Sequence, residues 1–268
     1  MNILKDRSKA LKRPAIMAVV AFLLLIFAFF NIADEVVSGD LQALDEEIIL
    51  LFRAATDLTD PLGPKWFEEM MRDVTGLGGV GILTFITIAS FGYLNFEHKY
   101  RVALLLIVSI GTGILLSFLL KNGFDRPRPE LVPHESYVYT SSFPSGHSMM
   151  SAIVYLTLAT FLAQVQQRKR VKAYIFSIAL IITISVGVSR IYLGVHWPSD
   201  VVAGWLAGIF WSLIFFVIGT YLNLIGAVEQ SGVESELEEY NTGSVGKHGE
   251  NPLQPKEKFP EVNSAPTS

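Results

Sequence analysis

The sequence has 268 residues, of which 51% are hydrophobic and only 17% charged, and its mean hydropathy is +0.43. That balance suits a polytopic membrane protein and is too apolar for an ordinary soluble domain. The absence of cysteine excludes disulfides, thiolate metal sites and a cysteine nucleophile, and a formal charge of −4, unevenly spread, gives no footprint for nucleic acid.

A basic head, residues 1–13, carries Lys5, Arg7, Lys9, Lys12 and Arg13. The apolar run after it, 14–33, is long enough to cross a hydrocarbon core of about 30 Å and longer than a signal-peptide core, so it reads as a retained first span. Residues 34–75 are acidic and polar. Leu41, Leu44, Ile48, Leu51, Phe52 and Ala55 form one stripe at helical spacing, with Asp40, Asp45, Glu46, Glu47 and Arg53 largely off it. A second short piece holds Trp66, Phe67, Met70 and Met71 among charges. Both pieces read as amphipathic helices on a membrane face or on the spans, serving as a packed connector or as an entry rim for an amphiphilic substrate. Further spans are expected at 77–95, opened by Gly76, Gly78, Gly79 and Gly81, and at 102–120, 147–165, 173–188 and 201–222.

The head and the turns at 96–101 and 166–172 are rich in lysine and arginine and fall on one side of a six-span layout. By the positive-inside rule that side is cytoplasmic, which leaves 34–75, 121–146 and 189–200 outside. Residues 226–268 are rich in Glu, Ser, Gly, Asn, Pro and Lys and read as a disordered cytoplasmic tail without a catalytic role. The expectation is an all-α fold: a polytopic membrane helix bundle over 1–225 with six transmembrane helices and an extracytoplasmic active site. The bilayer is its surroundings and no nucleic acid is a partner.

Three polar clusters fall on the outer side. In Lys121-Asn122-Gly123-Phe124-Asp125-Arg126-Pro127-Arg128-Pro129 the prolines stiffen the backbone beside the arginines, so guanidinium forks can be aimed at phosphate oxygens while Lys121 supplies a point charge. In Ser142-Phe143-Pro144-Ser145-Gly146-His147-Ser148, Ser145 or Gly146 can cap a helix whose free first-turn amides make an anion site, Gly146 allows close approach, and His147 could donate a proton. In Ser189-Arg190 through His196-Trp197-Pro198-Ser199-Asp200, a helix starting near Pro198 places Asp200 within reach of His196, where a carboxylate prepares an imidazole as nucleophile or base. Ser199 and Asp200 are also ordinary helix-capping residues. Taken together the clusters form a phosphate cradle with two imidazoles, one able to attack phosphorus and the other to protonate a leaving oxygen. No carboxylate cluster suggests magnesium and no histidine spacing suggests zinc, so metal-independent chemistry without a cofactor is expected.

This three-part pattern resembles that of the type 2 phosphatidic acid phosphatase family: Lys121 with Arg128-Pro129, then Pro144-Ser145-Gly146-His147, then Ser189-Arg190 with His196 and Asp200, in order and at the family's spacing. The resemblance implies that His196 is the nucleophile forming a phosphohistidine, Asp200 its orienting partner and His147 the acid for the leaving group. It also implies that Lys121, Arg128, Ser145, Gly146 and Arg190 bind phosphate. Arg126 falls in the motif's variable spacer and counts only as a helper. The implied activity is hydrolysis of a lipid phosphate or lipid pyrophosphate in a bacterial plasma membrane, with undecaprenyl pyrophosphate, phosphatidylglycerophosphate and phosphatidate as candidates. The same residues would serve a lipid phosphotransferase. A non-catalytic lipid-phosphate binder or transporter ranks lower, because His196, His147 and Asp200 are all present.

Overall fold

Long apolar runs closed by polar turns have one low-energy form in a bilayer, the helix that satisfies its own backbone. A computed structural model describes residues 2–54, 57–129 and 141–224. In chain order these form α1 (Asn2–Ser38), α2 (Gln42–Leu50), a hairpin of β1 (Arg53–Ala54) and β2 (Asp57–Pro61), α3 (Lys65–Gly76), α4 (Val80–Phe96), α5 (Tyr100–Gly123), α6 (Gly146–Val165), α7 (Lys169–Tyr192) and α8 (Pro198–Leu224). The tail at 226–268 and most of the segment joining α5 to α6 lie outside the described residues.

Five of these helices are long and apolar enough to cross a membrane, and α3 with α4, meeting at 48°, pass the same test as a bent pair. Among the described residues, five of the six expected spans are single helices, and the sixth corresponds to the bent α3–α4 pair counted as one span. The bend falls at Leu77-Gly78-Gly79, inside the stretch expected to begin a continuous span. The antiparallel β1–β2 hairpin was not expected, since a strand of two residues leaves no periodicity to read. In the segment at 42–54, Leu44 and Leu51 of the expected stripe are exposed, as the membrane-face alternative has them, whereas Asp45, Ile49 and Arg53 are buried. Beside a bilayer, outward apolar side chains meet lipid, and it is the polar ones that turn inward toward a polar site.

Helix α6 is the central element, packed on α5, α7, α8 and α4, and α1 lies along α8. One apolar cluster joins α4, α5, α6 and α7 around Leu106, Val154 and Phe161; a second joins α1, α6 and α8 around Phe29, Phe143, Met149 and Ala203. The α6–α8 crossing is close because small residues line it. A Cβ added at Gly204 would stand 2.7 Å from the Ser145 carbonyl oxygen, and one at Gly208 would stand 2.5 Å from Ala152 Cβ and 2.6 Å from the Met149 carbonyl oxygen. This contact seats the first turns of α8 on the start of α6, so that the Ser145 N–H donates to the Asp200 carbonyl oxygen at 2.9 Å. Gly208→Ala is expected to cost about 1–3 kcal/mol by forcing two backbones apart; thermal unfolding in detergent measures it, and an unchanged midpoint would contradict the close crossing.

Candidate active site

The site is built on the reversal between α7 and α8. Helix α7 ends in a Schellman arrangement: Gly194 adopts φ +68°, its N–H donates to the Ile191 carbonyl at 2.9 Å, and the Val195 N–H donates to the Arg190 carbonyl at 3.2 Å. Glycine fits that left-handed position without a Cβ clash. Pro198 then opens α8 at the first helical position, as its spacing predicts. Between these helix ends His196 is 2% exposed, with Nδ1 3.3 Å from Asp200 Oδ2.

Asp200 is saturated with donors. Its Oδ1 accepts from Arg126 Nη1 at 2.7 Å, and its Oδ2 accepts from the Trp197 N–H at 3.0 Å, from the Ser142 hydroxyl and from His196. The Trp197 contact is a side chain at the third helical position reaching back to the residue before the helix, one half of a capping box. A carboxylate bonded in this way accepts only, so the imidazole carries its proton on Nδ1 and presents the lone pair of Nε2. Arg128 Nη1 stands 3.1 Å from that Nε2 and donates to the Val195 carbonyl at 2.9 Å. Burial pushes the His196 pKa down to about 3; the hydrogen bond to Asp200 and its charge oppose the fall, and the Arg128 and Arg190 charges add to it. The ring is therefore neutral at neutral pH. Burial also lowers the Arg128 pKa, against the attraction of Asp200.

The first cluster is held by its neighbours. The Trp197 indole N–H donates to the Pro127 carbonyl at 2.9 Å, and the Arg126 guanidinium lies 5.4 Å over the same ring. In the second cluster Ser145 is the residue before α6, extended, with no side-chain cap bond; its hydroxyl accepts from Ser148 at 3.0 Å. The first-turn amides of α6 thus stand at the site end, where a helix leaves its N–H groups without intrahelical acceptors. A Cβ on Gly146 would lie 3.2 Å from Lys121 Cε, so these two residues are in direct apposition. Lys121 Nζ donates to the Ser141 carbonyl at 3.0 Å. His147 follows in the first turn of α6, beside Gly78 at the α3–α4 bend. Arg190 Nη1 donates to the Thr75 hydroxyl at 3.1 Å.

Of the residues singled out in the sequence, His196, Asp200 and Arg128 are hydrogen-bonded together. Ser145 joins them through its backbone. Gly146 and Lys121 meet each other, and Lys121 and Arg190 donate to Ser141 and Thr75. Sequence reasoning underrated Arg126, which sits in a spacer but is buried and bonds Asp200, Ser199 and Asp45. It gave no role to Ser142, although that residue opens the second cluster, or to Asp45, which lies 81 residues from Arg126 and carried no signal of the pairing. Among the described residues no group of three or more His, Asp or Glu side chains is placed to hold a metal ion.

The chain is 36% identical over 197 residues to phosphatidylglycerophosphatase B of Bacillus subtilis, covering 72% of this chain and 91% of that one. This chain belongs to the PAP2 superfamily. The profile described as the PAP2 superfamily matches residues 102–224, which include all three clusters. A crystal structure of a transmembrane PAP2-type phosphatidylglycerolphosphate phosphatase from Bacillus subtilis superposes with a TM-score of 0.66 at 29% identity, over 75% of this chain and 96% of that one. An undecaprenyl-diphosphatase of Sulfolobus acidocaldarius is 28% identical over 120 residues, 43% of this chain and 54% of that one. This PAP2 protein is accordingly an all-α, multi-pass membrane protein, as its resemblance implied.

Proposed function

We propose that this PAP2 protein, a membrane lipid phosphatase, hydrolyses phosphatidylglycerophosphate through a phosphohistidine on His196. The observation that carries the reading is the pairing at the two nitrogens of one buried imidazole: Asp200 holds Nδ1–H, and Nε2 meets the Arg128 guanidinium. A guanidinium at that point is where the oxygens of an incoming phosphoryl group would be gathered. In the forward step Nε2 forms a bond to phosphorus, the bond from phosphorus to the lipid oxygen breaks, and His147 gives that oxygen its proton. Water then attacks the phosphohistidine, His147 takes up a proton, the N–P bond breaks and inorganic phosphate leaves. Lys121, Arg128, Arg190 and the first-turn α6 amides of Gly146 and His147 stabilise the charge on the equatorial oxygens.

The likeness to phosphatidylglycerophosphatase B, extending over 91% of that chain, supports phosphatidylglycerophosphate as substrate. A lipid tail is also supported by a wholly apolar groove between α1, α5 and α8; Leu120, next in the chain to Lys121, is part of its wall with Leu116, Phe29 and Leu206. A second reading is hydrolysis of undecaprenyl pyrophosphate, favoured by the shorter match to the Sulfolobus enzyme. Phosphatidate hydrolysis and phosphotransfer to another lipid would use the same residues. The basic turns before α5 and before α7 lie at the opposite end of those helices from the site, which supports a cytoplasmic place for the turns and the termini and an extracytoplasmic site.

Inorganic phosphate release by the purified protein from phosphatidylglycerophosphate, undecaprenyl pyrophosphate and phosphatidate tests the substrate, with fastest release from the first expected. Preference for another of the three would replace it. The reading assigns the charge-neutralising role to Lys121, Arg128 and Arg190, so EDTA is expected to leave the rate unchanged. A loss restored by a divalent cation would overturn that assignment.

A further inference from the structure

We propose that residues 42–54, the stretch from α2 into the hairpin, clamp both ends of the His196 loop, with Asp45 and Arg53 as its positioning residues. The inference rests on His196 being the reacting group. Helix α8 carries only the Asp200 half of a capping box, because the residue before it is Trp197, whose side chain offers no acceptor for the first-turn amides. Asp45 supplies the acceptor from another helix: its Oδ1 takes the Ser199 N–H at 2.9 Å, and its Oδ2 takes the Ser199 hydroxyl and, at 2.7 Å, Arg126 Nη2. A carboxylate is also the charge that a helix N-terminus favours. Because the other arm of Arg126 bonds Asp200 Oδ1 at 2.7 Å, Asp45, Arg126 and Asp200 form one buried chain.

At the other end of the loop the roles reverse. The turn after α7 satisfies the carbonyls of Ser189, Arg190 and Ile191 and leaves that of Tyr192. Arg53 Nη2 donates to it at 2.8 Å, a cation at a helix C-terminus. The Tyr192 hydroxyl donates to the Leu62 carbonyl at 3.1 Å, and the Phe52 and Phe67 rings meet its ring edge-on. Asp45 and Ile49, one turn apart on α2, and Arg53 on β1 are 2%, 0% and 5% exposed, and Asp45 holds the start of α8 while Arg53 holds the end of α7. The loop between those ends is five residues long, 193–197, and holds His196. The stretch lies outside residues 102–224, which carry the superfamily match.

The test is steady-state kinetics of full-length Asp45→Asn, Arg53→Met and Arg53→Lys on phosphatidylglycerophosphate, per unit of protein that elutes monodisperse and unfolds cooperatively. Asp45→Asn turns an amide NH2 toward donors of Arg126 and Ser199, and Arg53→Met deletes the donor at Tyr192. Each is expected to lower kcat by about 10- to 100-fold, the scale of a reacting group displaced by about 1 Å, with KM near the wild-type value. Arg53→Lys keeps a donor and is expected to recover much of the loss. If Asp45→Asn does not fold, the Arg53 pair decides alone. Folded variants with wild-type kcat, or a loss that appears in KM alone, would overturn the clamp while leaving the phosphatase reading intact. Absence of turnover in the wild-type protein would overturn that reading and the clamp with it.

Discussion

His196→Ala protein is expected to release no inorganic phosphate above background while still binding the lipid phosphate. The nucleophile is the one part of the cradle with no substitute: the Nε2 lone pair is presented only because Asp200 holds the other nitrogen. Removing a nucleophile that acts with its partners as a unit costs roughly 10⁴-fold or more in kcat. Binding survives because Lys121, Arg128, Arg190 and the α6 amides remain. The variant leaves a cavity where a fully buried ring stood, so its folding must be checked by thermal unfolding. A folded His196→Ala protein with wild-type turnover would remove the assigned nucleophile.

Asp200→Asn is expected to be as damaging to rate and more damaging to stability. Asp200 accepts from Arg126, Trp197, Ser142 and His196, and an amide offers one acceptor oxygen in place of two while adding a donor. The Arg126 charge, 8% exposed in its side chain, would keep, among the described residues, only Asp45 as an ionic partner. Uncompensating a buried ion pair costs about 3–5 kcal/mol, and a wrongly set imidazole tautomer costs about 10⁴-fold in kcat. Phosphate release and the unfolding midpoint are both measured. Full activity at a lowered midpoint would show that Asp200 only holds the fold.

What the sequence made legible follows from how local each device is. Helix ends at Pro198 and Ser145 are written in adjacent residues, and the three motifs carry their own spacing, so α6, α8 and the His196–Asp200 pair could be read before any coordinates. The expected helix at 147–165 differs from α6 by one residue at its start. Contacts between distant segments were not legible. Arg126 bonds Asp200 across 74 residues and Asp45 bonds Ser199 across 154, and no periodicity in either segment encodes such pairs. The stripe at 41–55 left open which surroundings its apolar face meets, because apolar side chains mark the lipid side of a membrane protein as well as its core. Leu44 and Leu51 therefore face outward while the acid and the arginine beside them turn in. The break at Gly78 is likewise set by a neighbour, since a Cβ there would lie 3.3 Å from His147 and 2.5 Å from Val186.

The covalent step separates this account from a binding protein or from direct attack by water. The most direct measurement is rapid-quench trapping with lipid phosphate labelled in its terminal phosphoryl group, followed by denaturation and peptide mapping. Transient label is expected on the protein, stable to alkali and lost in acid as a phosphoramidate is, mapped to the peptide containing His196 and absent from His196→Ala. Turnover with no labelled protein at any quench time, or label persisting on His196→Ala, would contradict it.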